Sequence, residues 1–146
     1  MADTRVQVEV EDWVRRTWMR EHFGEAFTRE RLPLTSGGVF DFDAVSADHS
    51  IAASISTSGA TTAAGKHGVG KLLKIRSDMF FLLLANVRRR IVVLTESDMF
   101  ELCKKEAAGG RVPTSIEFAL ASIPADLRSK LTSARGTASK EVSPDR

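Results

Sequence analysis

Apolar residues first recur at Val10, Trp13, Val14, Trp18 and Phe23, steps of three, four or five that set them near one face of a helix. Asp3 or Thr4 can cap its start. Glu11, Arg15 and Arg16 fall on the other side, which is expected to be solvated. Gly24 interrupts, and residues 27–34 read as an outer strand because Pro33 has no N–H to give a ladder. From Val39 the period drops to two, with Phe40 and Phe42 on one face and Asp41 and Asp43 on the other. After a polar turn at 47–50, Ala52, Ser54 and Ser56 share a face opposite Ala53 and Ile55. Such a turn would set Asp43 across from Ser54 and Asp41 across from Ser56, with neighbours roughly 5 Å apart.

Residues 57–70, rich in Ser, Thr, Ala and Gly, read as a loop. The period then becomes helical: Val69, Leu72, Leu73, Arg76, Phe80 and Leu83 form a broad face expected to pack on the sheet, with Lys71, Lys74 and Asp78 directed elsewhere. That helix should end near Asn86. The unbroken apolar run 91–94 suits a covered central strand. Asp98 and Glu101 have capping-box spacing at the head of a helix that stops at Gly109 and Gly110. A last strand over 114–120 and a helix opened by Pro124 and running to Ala134 complete the chain. The pattern predicts one α/β domain over 1–134, a small mixed sheet flanked by helices, and a disordered tail over 135–146.

Composition narrows this reading. With 146 residues, 42% of them hydrophobic, the chain can bury one core, and a net charge of +2 does not by itself announce a nucleic-acid binder. A local excess does exist, because seven Lys and Arg lie between Lys66 and Arg90 against the single acid Asp78. Lys66, Lys71 and Lys74 around a helix start are candidate contacts to nucleic-acid phosphate, and Arg88 to Arg90 suit a helix end. Residues 65–72 match the phosphate-loop pattern except at Leu72, where a magnesium-binding hydroxyl is required, and no buried strand leads directly into them. Cys103 is alone, so no intramolecular disulfide can form; a packed thiol and a reducing, cytoplasmic location are expected. The start of the chain lacks a secretory pattern, and the longest apolar run, 79–85, is too short to span a bilayer. His22, His49 and His67 do not have metal-ligand spacing.

The paired glycines Gly37 and Gly38, the strand Phe40-Asp41-Phe42-Asp43-Ala44-Val45-Ser46, a turn, a second strand, a Lys-bearing helix and a buried strand together resemble the PD-(D/E)XK, or restriction-endonuclease-like, nuclease superfamily over about residues 13–120. The resemblance implies a restriction-endonuclease-like fold in which Asp43, or Asp41, holds divalent metal, and Glu11 is a candidate acid from the first helix. It also implies an acidic-x-Lys triplet on the second strand, which here is Ser54-Ile55-Ser56. A serine is a weak neutral ligand, and Ser56 carries no positive charge for the attacking water. The expectation is a pseudonuclease, with Asp41, Asp43, Ser54 and Ser56 as a remnant site and no cofactor. Magnesium enters only under the alternative of an active nuclease whose missing acid and lysine have migrated, Glu11 and Lys66 or Lys71 standing in. DNA and a second copy of the chain are the candidate partners, a membrane is not, and a protein-binding module is the third reading.

Overall fold

The computed structural model describes residues 4–60 and 69–141. Lys66 and most of the phosphate-loop-like segment lie outside them. The chain begins with α1 (Arg5–Trp13), a π-helical turn (Val14–Trp18) and α2 (Met19–Phe23), which follow one another without leaving helical geometry. Val10, Val14 and Met19 are the buried residues of this rod. Their spacing of four and then five is what a single wide turn accommodates. Trp18, expected in the same row, packs against this cluster while only partly buried, and stacks on His22 at 4.5 Å. Thr4 stands at the N-cap but its side chain makes no capping bond. Gly24 ends the rod at φ +75°, a conformation glycine adopts without strain.

Five strands follow as β1 (Phe27–Pro33), β2 (Val39–Ser46), β3 (Ile51–Ser56), β4 (Arg89–Leu94) and β5 (Ile116–Leu120), in that spatial order. β1, β2 and β3 form an antiparallel meander, while β3, β4 and β5 run parallel, so the sheet is mixed, with β1 at its edge and β4 inside. The parallel crossovers are α3 (Val69–Leu84) and α4 (Ser97–Ala108). These cover one face of the sheet, where Phe42, Ala52 and Val92 meet Ile75, Leu82 and Met99. The first helix and α5 (Ala125–Glu141) cover the other, where Ala53, Ile55 and Val93 meet Val10, Val14 and Leu127. The expected small mixed sheet between helices is therefore the observed architecture. Among the described residues no helix is long and apolar enough to cross a membrane.

Three local expectations are corrected. The face of α3 that packs on the sheet is Ile75, Asp78, Met79 and Leu82; Leu73, Phe80 and Leu83 point outward. The helix carries two apolar stripes, and periodicity alone cannot choose between them. Asp98 does not cap α4, since Glu96 holds the N-cap position. Its carboxylate instead accepts the N–H of Ala60 at 3.0 Å and of Met99 at 2.8 Å, which ties the loop after β3 to α4. Helix α5 passes the expected end at Ala134 and reaches Glu141, so residues 135–141 are helical where a tail was expected.

Candidate functional site

The hairpin of β2 and β3 has the register that a 47–50 turn demands, pairing Ala44 with Ala53 and Val45 with Ala52. One further step sets Asp43 opposite Ser54, and both line one cavity of about 510 Å³. On its other side β2 bulges. Thr28 pairs with Val45 and Glu30 with Phe42, so Arg29 alone faces both Asp43 and Ala44. A bulge re-aims side chains and ends regular pairing. Here the Ile55 N–H goes to the Asp43 carboxylate at 2.8 Å instead of to a strand carbonyl.

Three other elements converge on this point. From the first helix, Arg15 is 11% exposed, donates to the Asp43 carbonyl at 2.6 Å, and holds Glu11 at 2.9 Å and Asp12 at 3.1 Å. Glu11 and Arg15, expected on a solvated face, are thus turned to the sheet. Burial, then the charge of Asp43 and a hydrogen bond between the two carboxyls, raise Glu11 to about 7 against the opposing pull of Arg15 and Arg29. From α3, Lys74 reaches Asp78 at 2.7 Å. Asp78 is only 7% exposed, and burial raises its pKa, with Lys74 opposing and Asp43 adding to the rise. From β1, Arg29 and Arg31 complete the cavity wall with Asp41.

The pairing of Asp41 with Ser56 is not formed. Asp41 is bound by Arg31 across β1 at 2.9 Å, a contact that lowers its pKa, and the Ser56 hydroxyl accepts the N–H of Ser58. The β2–β3 ladder ends at Ala44 and Ala53, before that pair would be reached. Ser54 is different. It is 6% exposed, and among the described residues its hydroxyl has no hydrogen-bond partner. Of the proposed phosphate contacts, Lys74 lines the cavity, Lys71 is half-buried near the start of α3, and Lys66 lies outside the described residues.

Asp78 and the arginines of β1 escaped the sequence reading. The available signal for Asp78 was its being the single acid of a Lys- and Arg-rich apolar segment, four residues after Lys74. Much of the basic excess is internally matched: Arg76 pairs with Glu106, Arg89 with Glu117, and Arg90 donates to the carbonyls of Leu82 and Ala85.

A magnesium ion keeps several waters and takes only one or two carboxylates from a protein. One oxygen of Asp43 is committed to Ile55 and one of Glu11 to Arg15, and among the described residues no three His, Cys, Asp or Glu side chains converge closely enough to hold an ion. No family model, curated protein or solved structure matches this chain.

Proposed function

We propose that the chain is a nuclease-type scaffold that binds nucleic acid without cutting it. The observation that carries the reading is the junction where β2 leaves β3. Asp43, with Glu11 beside it, is the candidate for the acid that the resemblance assigns to metal binding, while the facing β3 position carries Ser54, whose hydroxyl is unpartnered among the described residues. Arg29, Arg31 and Lys74 rim the same cavity, with Arg31 and Lys74 each held by an aspartate. A phosphate oxygen can take the place of either aspartate, releasing counterions from the nucleic acid. A reducing cell interior suits the chain, since its lone cysteine can form no intramolecular disulfide; burial keeps that Cys103 thiol protonated and inert, its pKa pushed up to about 11.

Fluorescence anisotropy with labelled duplex and single-stranded DNA at increasing salt tests the reading. Binding is expected to weaken steeply with salt, and Arg29→Ala and Lys74→Ala should each reduce the salt slope by about 1. Magnesium or manganese should produce no cleavage. Failure to retain DNA at any salt would leave a protein-binding module. Metal-dependent cleavage abolished by Asp43→Ala would instead favour an active nuclease, in which Glu11 supplies the displaced acid; its closeness to Asp43 is what keeps that second reading in play.

A further inference from the structure

Ser54 is a polar side chain that the fold buries and leaves unused. It is 6% exposed, and among the described residues its hydroxyl has no hydrogen-bond partner, although it stands on the wall of the cavity where β2 and β3 separate. A buried hydroxyl without a bond costs stability that alanine would not, so it calls for a partner from outside the chain. The rest of the wall says what chemistry that partner has, because its acceptors are largely spent and its donors are not. Both oxygens of Asp41 are taken by Arg31, at 2.9 and 3.2 Å, and the Asp43 carboxylate takes the Ile55 N–H at 2.8 Å. Lys74 gives Asp78 one bond, at 2.7 Å, of the three its ammonium can make, and Arg29 offers its fork of five donors for a 3.8 Å contact to Glu11. Both cations are exposed. A ligand that only accepts and carries negative charge matches this surplus.

We infer that the cavity takes one phosphate group of a bound nucleic acid, the Ser54 hydroxyl donating to a phosphate oxygen and Lys74, released from Asp78, pairing with the same group. This deepens the reading above and rests on it for the source of the phosphate. Phosphate and Asp78 then compete for one ammonium. Asp78 is 7% exposed and burial disfavours its charge, so the exchange gives Lys74 a stronger partner in place of a carboxylate that the fold keeps ionised at a cost. The neutrality of Ser54 matters here, since a carboxylate at that position would repel the phosphate and a hydroxyl does not.

Anisotropy of a labelled single-stranded oligothymidylate, and amide NMR of the full chain with inorganic phosphate, test it. Ser54→Ala should weaken retention of the strand about tenfold at fixed salt, while its melting temperature holds or rises because the unbonded hydroxyl is gone. Asp78→Asn should act the other way and tighten binding several-fold, by leaving Lys74 to the phosphate. Inorganic phosphate should shift the amides of Ser54 and Ile55, compete with the strand, and lose most of its effect in Ser54→Ala. Phosphate shifts that depend on Ser54, with no DNA retained, would uphold the pocket and overturn nucleic acid as its source. DNA retained equally by the unaltered chain, Ser54→Ala and Asp78→Asn would overturn this inference and leave the nucleic-acid reading standing. A Ser54→Ala chain that melts lower and binds as before would assign the hydroxyl to the fold alone, which overturns the inference too.

Discussion

Glu11 and Asp43 bring two carboxyl groups together beside the guanidinium groups of Arg15 and Arg29, and this sets how the site responds to pH. An acid whose folded pKa lies above its unfolded one holds its proton more tightly in the native state. Stability therefore falls as pH climbs from the ordinary 4.5 of Glu11 towards its native value of about 7. Glu11→Gln should flatten that part of the curve, seen as a melting temperature that no longer declines across the window. Asp43→Asn should move the Glu11 midpoint down in an NMR titration, yet leave it above the ordinary range, because burial is the larger cause. An unmoved midpoint would show that the two carboxyls do not interact. The Asp43 and Ser54 meeting was legible in the sequence, since period-two alternation and a four-residue turn define the register. Asp78 was not, because its burial depends on which side of α3 meets the sheet.

Among elements, α3 shows where periodicity stops being informative. A helix with two apolar stripes can dock by either, and the choice rests with its neighbours, here the sheet face built around Ala52 and Val92. The end of the helix was easier to anticipate. Positive charge after residue 86 suits helix carbonyls, and of the three arginines it is Arg90 that donates to Leu82 and Ala85, each at 2.8 Å. Arg90→Ala should cost about 1–3 kcal/mol by leaving those carbonyls without their charged donor, measured by urea unfolding. Arg88→Ala, the control, should change little. The π turn of the first helix was also foreshadowed, in the five-residue step from Val14 to Met19, although the eye is drawn to Trp18 instead.

For the molecule as a whole, one acid gathers both arginines of the last helix, beside the Lys130–Glu9 pair and the burial of Leu127 and Leu131. Glu96, at the end of β4, takes bonds from Arg128 at 2.6 Å, Arg135 at 2.7 Å and Thr95 at 2.8 Å. Burial works to raise its pKa, but these donors together outweigh it and the net shift is downward. Arg135 also donates to the carbonyl of Thr57, so the same cluster joins the loop after β3 to α5. Glu96→Ala should cost about 1–3 kcal/mol, less than a fully buried pair because Arg128 is 40% exposed. Hydrogen exchange should speed up along α5 while the amides of β3 and β4 stay protected. Equal loss of protection throughout would mean that α5 is not a separable unit.

Much of the secondary structure was determined by the sequence alone: alternating positions for the hairpin, an unbroken apolar run for β4, glycines at the helix ends and a fold class of helices around a mixed sheet. These features are local, repeating every two to four residues, so a single chain displays them. The approach of Glu11 and of Asp78 to Asp43, each from its own helix, was decided only in three dimensions, as were the docking side of α3 and the closure of Glu96 onto α5. The three acids stand 32 and 35 positions apart along the chain, and separations of that size have no periodic signature. What brings them together is a bulge in β2 and the stacking of two helical layers on opposite faces of one sheet.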